Sequence, residues 1–122
     1  MSRSVLIVDD DDAFRNLATR ILTGWGHVVI GEAGTAAEAL ARVAELRPDT
    51  VLIDIGLPDG DGFALTARLR GMPWPVRVVL ISSDADRANA AAADRAGASG
   101  FVPKDELSGP GLRQLIERGE PQ

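Results

Sequence analysis

Four points along the chain carry residues whose types could do metal or phosphate chemistry. Asp9-Asp10-Asp11-Asp12 follows the apolar run Ser4-Val5-Leu6-Ile7-Val8. Asp54 ends a second apolar run and leads into Ile55-Gly56-Leu57-Pro58-Asp59-Gly60-Asp61-Gly62. A third run ends in Ser82-Ser83-Asp84 and a fourth in Pro103-Lys104, where Lys104 is the only lysine among 13 basic residues. Carboxylates held close together repel, and one must take a proton unless a cation intervenes. Mg²⁺ suits such a set: it is a hard octahedral ion, commonly held by one or two carboxylates with waters and phosphate oxygens. A carboxylate can also act as a nucleophile and form an aspartyl-phosphate. The transferred phosphoryl group spreads charge over three oxygens, which call for a metal, an ammonium and hydroxyl or amide donors. Mg²⁺, Lys104, Ser82 and the backbone around Ile55–Gly56 are the candidates to supply them.

Each piece also has a plainer role open to it. Acids favour helix starts, so Asp11 or Asp12 is expected to be a cap, leaving Asp9 and Asp10 as the functional pair. Asp54 alone could be a turn residue, and a lone lysine is usually a solvated surface charge. Ser82 and Ser83 could be loop residues or a cap for a helix near Asp86. His27, the only histidine, falls in a turn away from the acids and is expected to face solvent without a role. Trp25 and Trp74 lie in loops, where packing is the expected task. What favours chemistry is that four strand ends agree.

The elements that must bring these ends together are legible in the hydrophobic pattern. Short β-branched runs at Ser4–Val8, Val28–Gly31, Thr50–Ile53, Arg77–Ile81 and Gly100–Val102 read as buried strands, because a parallel strand covered on both faces loses polar alternation. Between them, helical spacing predicts helices over Asp12–Thr23, Thr35–Leu46, Asp61–Arg70, Asp86–Ala96 and Ser108–Arg118. Thr35 with Glu38 three residues on is a capping-box signature. The run Ala90–Ala93 has little to pack and predicts a marginal helix. Strands alternating with helices give an α/β doubly wound parallel sheet, and right-handed crossovers place helices on both faces. In such a sheet ligands bind beyond the carboxyl ends of the strands, the edge to which all four candidate points belong.

Composition narrows the class further. A chain of 122 residues is sized for one domain. Hydrophobic residues at 45% and charged residues at 25% are those of a folded globular protein. No apolar run reaches the roughly 18 residues of a membrane span, and no signal-peptide pattern is present. The absence of cysteine excludes disulfides and thiolate chemistry and fits a cytoplasmic setting. A net charge of −5 argues against direct binding of nucleic acid by this chain.

The residues at the four strand ends resemble the receiver domain of bacterial two-component response regulators. That family has an acidic pair after strand one, Asp after strand three followed by Leu-Pro and Gly, Ser or Thr after strand four, and Lys after strand five. Here these read Val8-Asp9-Asp10, Asp54 through Gly62, Ile81-Ser82-Ser83 and Phe101-Val102-Pro103-Lys104. The resemblance covers essentially the whole chain, with residues 1–119 as the receiver domain and 120–122 as a tail. It implies a flavodoxin-like (βα)5 fold with strand order 2-1-3-4-5, an order the family is known for.

Residue by residue, the resemblance implies that Asp54 accepts the phosphoryl group from a histidine kinase or phosphotransfer protein. It implies that Asp10, Asp54 and the Gly56 carbonyl bind Mg²⁺, with Asp9 doing so directly or through water. Lys104 would pair with the phosphoryl oxygens and Ser82 would hydrogen-bond one of them. Phe101 matches the aromatic switch position, and the readout would be the face made by the fourth helix, fifth strand and fifth helix, which could also form a homodimer. The chain would be no enzyme beyond catalysing its own phosphorylation and dephosphorylation. Three positions depart from the family's habit: Asp105 stands where Pro often follows the lysine, Gly56 offers no side chain two residues past Asp54, and Phe101 carries no hydroxyl.

Other readings fit less of the chain. A phosphatase of the haloacid-dehalogenase type would use Asp9 as nucleophile and Asp11 as acid, but needs a further acidic pair after the lysine and a longer chain. Flavin binding lacks loop aromatics to sandwich the ring. A receiver that is never phosphorylated and serves only as an interaction module remains the main alternative.

Overall fold

A computed structural model describes residues 3–83 and 87–118. Five strands form one parallel sheet: β1 (Ser4–Val8), β2 (Val28–Ala33), β3 (Thr50–Asp54), β4 (Arg77–Ser82) and β5 (Gly100–Pro103). Their order across the sheet is 2-1-3-4-5, the flavodoxin-like order expected. Five helices alternate with them: α1 (Asp12–Gly24), α2 (Ala36–Leu46), α3 (Gly62–Arg70), α4 (Arg87–Ala96) and α5 (Pro110–Glu117). The expected first residue of α4, Asp86, and the 120–122 tail lie outside the described residues.

Side-chain alternation along each strand divides the core in two. Val5 and Ile7 point to one face, where Ala18 and Leu22 of α1 and Leu112 and Ile116 of α5 cover them. Leu6 and Val8 point to the other, under Val43 of α2, Leu65 and Leu69 of α3 and Ala93 of α4. Fully buried aliphatic side chains each contribute about 1.5–3 kcal/mol of transfer free energy, so the double winding follows from strands that are apolar on both faces.

The strands run further at their carboxyl ends than the apolar pattern predicts. β2 continues through Glu32 and Ala33, paired with Ile7 and Val8. Asp54 pairs with Ile81, and Ser82 with Pro103. The ladder depends on backbone groups alone, so it continues past the residue where hydrophobicity stops. Within β2 the register shifts beside Val5 and Leu6, leaving Ile30 unpaired as a bulge residue. A two-residue antiparallel ribbon, Gly56–Leu57 against Gly60–Asp61, folds the segment after β3 back on itself, which the sequence did not indicate.

The helix starts are capped as their sequences suggest. Asp11 is the cap of α1 and accepts from the Ala13 N–H at 3.0 Å. Thr35 caps α2 by accepting from the Glu38 N–H at 3.0 Å, and Glu38 reaches back to accept from the Gly34 N–H at 2.7 Å. Helix α5 begins two residues later than expected, at Pro110, whose fixed φ suits a first helical position. The intervening Lys104–Glu106 forms a single 3-10 turn, and Leu107 after it is buried against the α1/α5 face. Of the Ala90–Ala93 run only Ala93 is buried, in line with a helix that has little to pack.

His27 corrects the sequence reading. It is 4% exposed, not solvent-facing. Nδ1 accepts from the Arg3 N–H at 3.0 Å, and Nε2 lies 2.8 Å from Glu117 Oε2. A neutral imidazole offers one acceptor and one donor, and both are used, so the ring is buried without loss and ties α5 to the start of β1. Trp25 and Trp74 do pack on the core, each under a guanidinium: Arg113 over Trp25 at 5.7 Å and Arg47 over Trp74 at 4.2 Å.

Candidate functional site

The carboxyl edge of the sheet gathers the residues that sequence placed there. Asp9, fully buried just past β1, has its N–H donating to the Ala33 carbonyl, so β2 fixes its backbone. Its Oδ1 accepts from the Asp11 N–H at 2.9 Å. Asp10 is exposed beside it. Asp54, the last residue of β3, is 8% exposed. Carboxylate oxygens of Asp9, Asp10 and Asp54 all lie within 4.8 Å of one another.

One cation meets this cluster. Lys104 Nζ, carried just past β5, stands 2.7 Å from Asp9 Oδ2 and 3.7 Å from Asp54 Oδ2. The same ammonium sits over the ring of Phe14 on α1, 4.4 Å from its centroid. Burial pushes the Asp54 carboxyl above its ordinary range, and the charges of Asp9 and Asp10 add to this, while Lys104 and the Gly56 N–H oppose it. For Lys104, burial alone favours the neutral amine. The hydrogen bond to Asp9 and the charges of Asp54, Asp9 and Asp11 outweigh it and lift the ammonium above its usual range.

The other sequence candidates border this group. Ser82, 2% exposed, ends β4 one residue past Ile81, the register partner of Asp54, and opposite Pro103. Phe101 on β5 is half-buried against the α2/α3/α4 side of the core. Gly56 is exposed at the start of the ribbon, with Asp54 Oδ2 3.9 Å from where a β-carbon would stand. Two backbone bonds hold the segment after Asp54 in place: the Ile55 N–H donates to the Ile81 carbonyl at 3.1 Å, and the Gly62 N–H to the Ile55 carbonyl at 2.9 Å. The Lys104–Asp105 peptide bond is trans.

Three supports escaped the sequence reading. Arg15 on α1 donates from Nη1 to the Asp9 carbonyl at 2.5 Å and from Nε to Glu32 at 2.8 Å, and also pairs with Asp12. It thereby clamps the β1–α1 turn to β2. Asp59, at the tip of the ribbon, accepts from the N–H groups of Ala36 and Ala37 at 2.7 and 3.0 Å. Those backbone bonds hold its carboxyl below the usual range, and they tie the segment after Asp54 to the start of α2. Phe14 shares the inward face of α1 with Ala18 and Leu22, and nothing in that spacing marks the ammonium above it. An Asp between Pro and Gly is a turn signal, so Asp59 could be placed in a turn but not against a helix 23 residues away.

Chemically, the site offers hard oxygen donors that repel one another. Asp9 Oδ2 is buried and meets no donor other than Lys104 among the described residues. This donor set fits a hard divalent cation better than a soft one.

Comparison with known proteins agrees with the geometry. The profile of the response regulator receiver domain matches residues 5–117. DevR/DosR of Mycobacterium tuberculosis, a DNA-binding transcriptional activator, is 38% identical over 114 residues, covering 93% of this chain and 52% of that protein. A protein-glutamate methylesterase/protein-glutamine glutaminase of Anaeromyxobacter dehalogenans is 38% identical over 117 residues, covering 93% of this chain and 33% of that protein. The chain thus spans about half the length of the first relative and a third of the second. Among solved structures, the signal receiver domain of the response regulator NarL from Mycobacterium tuberculosis superposes with a TM-score of 0.85 at 34% identity, covering 96% of this chain and 98% of that one. No helix among the described residues is long and apolar enough to cross a membrane. With the receiver-domain profile matched over residues 5–117 and a parallel sheet in the order 2-1-3-4-5, the chain belongs to the response regulator receiver family.

Proposed function

We propose that this chain is a phosphoacceptor switch in which Asp54 takes a phosphoryl group from a histidine kinase or phosphotransfer protein. The observation that carries the reading is the Asp54 carboxylate facing Lys104 Nζ at 3.7 Å, with Asp9 and Asp10 oxygens close by. An Asp54 carboxylate oxygen attacks phosphorus. The new O–P bond forms as the bond from phosphorus to the donor's imidazole nitrogen breaks, and the imidazole keeps the electron pair and takes a proton. Asp54 must be ionised to attack. Lys104 and the Gly56 N–H are the groups that favour its ionised form against burial and the neighbouring acids.

Mg²⁺ would be held by Asp10, Asp54 and the Gly56 carbonyl, with Asp9 directly or through water. When bound, it neutralises charge on the transferring oxygens and on the carboxylates. Lys104 then serves the phosphoryl oxygens as an ammonium, and Ser82 donates its hydroxyl to one of them. Movement of Ser82 is coupled to Phe101, and the phosphoryl group favours one of two arrangements of the β4 and β5 loops. The readout is the face of α4, β5 and α5, where a cleft of about 490 Å³ is lined by Phe101, Pro103, Pro110 and Leu115 among others. That face could also mediate a homodimer. On this reading residues 1–119 are the working domain in the cytoplasm, and the chain catalyses only its own phosphorylation and dephosphorylation.

The test is intact mass after incubation with acetyl phosphate, with and without Mg²⁺, for the wild type and Asp54→Asn. One added phosphoryl group that requires both Mg²⁺ and Asp54 supports the switch. No addition under any condition leaves a phosphorylation-independent interaction module, and addition at Asp9 supports the phosphatase-type chemistry.

A further inference from the structure

Lys104 Nζ is bounded on three sides: Asp9 Oδ2 at 2.7 Å, Asp54 Oδ2 at 3.7 Å and the face of the Phe14 ring at 4.4 Å. Phe14 belongs to the core beneath α1, whose other inward residues are Ala18 and Leu22. An aliphatic side chain would suit that core as well. The difference is that an aromatic face is the one apolar surface that attracts a cation. We propose that Phe14 is a positioning residue for Lys104, its ring holding the ammonium by cation–π attraction at the point from which Lys104 serves Asp54. This rests on the phosphoacceptor reading above.

Two physical consequences follow from the geometry. The ring excludes water from one side of the ammonium, on a side chain only 23% exposed, yet returns part of the lost hydration as attraction. It also adds no directional hold of its own to the ammonium. Nζ lies nearer to Asp9 than to Asp54, and a small shift from this point would carry it toward a phosphoryl oxygen on Asp54. A hydrogen bond resists such a shift because it is directional, whereas the ring attracts a cation over its whole face.

Lys104 is the only lysine in the chain, so a lysine-selective isotope label gives one set of resonances. In the metal-free protein the ring current of Phe14 is expected to move the Lys104 ε-methylene protons upfield, and Phe14→Leu abolishes that shift. Phosphoryl uptake from acetyl phosphate at fixed Mg²⁺ is expected to slow about three- to tenfold in Phe14→Leu. Phe14→Tyr stays near the wild-type rate. Mono-, di- and trifluorinated phenylalanine installed at position 14 keeps the core filled while draining the ring face, and slows uptake in a graded series. Ordinary ε-methylene shifts in the wild type, or wild-type rates across the fluorinated series, would overturn the proposal. If the wild type takes up no phosphoryl group, or Asp54→Asn takes up as much, it is the phosphoacceptor reading that fails. The ring-current shift then still decides where Lys104 is held.

Discussion

Gly62 and Gly111 both stand in the first turn of a helix, yet replacing each with alanine is expected to move stability in opposite directions. At Gly111 in α5 an added β-carbon meets nothing within 4 Å. There alanine only narrows the unfolded ensemble and improves helix propensity, a gain of about 0.5–1 kcal/mol. At Gly62 the same β-carbon falls 2.8 Å from the Asp54 carbonyl oxygen, 2.8 Å from Ile55 Cα and 3.2 Å from Ile53 Cγ2. Two of these are backbone atoms at the end of the central strand, and they cannot rotate away as a flexible side chain would. The Gly62 N–H, bonded to the Ile55 carbonyl at 2.9 Å, keeps the helix start from backing off. Overpacking of this kind costs about 1–3 kcal/mol, more than the propensity gain restores. For a domain of this length 1 kcal/mol moves Tm by roughly 4 °C. Gly62→Ala is therefore expected to melt roughly 4–8 °C below the wild type and Gly111→Ala roughly 2–4 °C above it. Circular dichroism melts in one buffer measure this, with urea midpoints at unchanged m as the check. The displaced backbone carries Asp54, so Gly62→Ala should also take up phosphoryl groups more slowly at temperatures where it is fully folded. A Gly62→Ala protein as stable as Gly111→Ala would show that α3 can shift at no cost and would refute the reasoning.

Three further substitutions probe the polar groups. Thr50, at the start of β3, is fully buried with its hydroxyl unpartnered; Thr50→Val removes that penalty and should raise stability by about 1 kcal/mol, read as a higher urea midpoint, whereas a lower one would mean the hydroxyl is bonded. The Asp54 carboxyl is raised above its ordinary 3.8 by burial and by Asp9, so its charge opposes folding at neutral pH and the opposition fades as pH falls through the folded value. Asp54→Asn should accordingly exceed the wild type in Tm at neutral pH, with the margin shrinking in acid; a margin independent of pH would contradict this. Asp59 is shifted the other way by the Ala36 and Ala37 N–H groups, so it adds stability above its ordinary pKa and loses it as pH drops through the folded value. Asp59→Ala should lower Tm at neutral pH and match the wild type in strong acid, measured by the same melts.

What could be read in the sequence was what has a local signature. Val5 to Val8 and Val78 to Ile81 are apolar on both faces because both faces are covered, and that alone gives buried parallel strands. The Thr35 and Asp11 caps are encoded within three residues of the groups they cap. The convergence of Asp9, Asp54, Ser82 and Lys104 on one edge follows from strand direction. What the sequence did not disclose depends on partners distant along the chain. His27 is paired with Glu117, 90 residues later, so its burial has no local mark. Asp59 meets α2 across 23 residues, and the Phe14 ring meets an ammonium carried by β5. The last residues of β2, β3 and β4 are polar or small, and hydrophobicity cannot report a ladder that backbone groups make.

The two edges of the sheet treat charge in opposite ways, and the contrast explains why the site can exist. At the amino edge, charges close the fold. Arg77 donates to the Leu115 and Arg118 carbonyls, each at 2.7 Å, and Arg3 donates to the Arg118 carbonyl at 3.0 Å, taking up carbonyls that the end of α5 leaves without helical partners. His27, itself buried, adds a link through the half-buried Glu117 to the same helix end. Cations at a helix C-terminus are favourable on their own account, so this edge stabilises at no functional cost. At the carboxyl edge three carboxylates crowd together and one ammonium reaches two of them, Asp9 and Asp54, an arrangement that burial and repulsion both oppose. Such a cluster persists only where the surrounding backbone is over-determined, and here it is: Asp9 by Ala33 and Arg15, Asp54 by its pairing with Ile81, the following segment by Gly62 and Asp59. The unfavourable charge is what a bound cation would relieve, and the rigidity is what keeps the protein from relieving it alone.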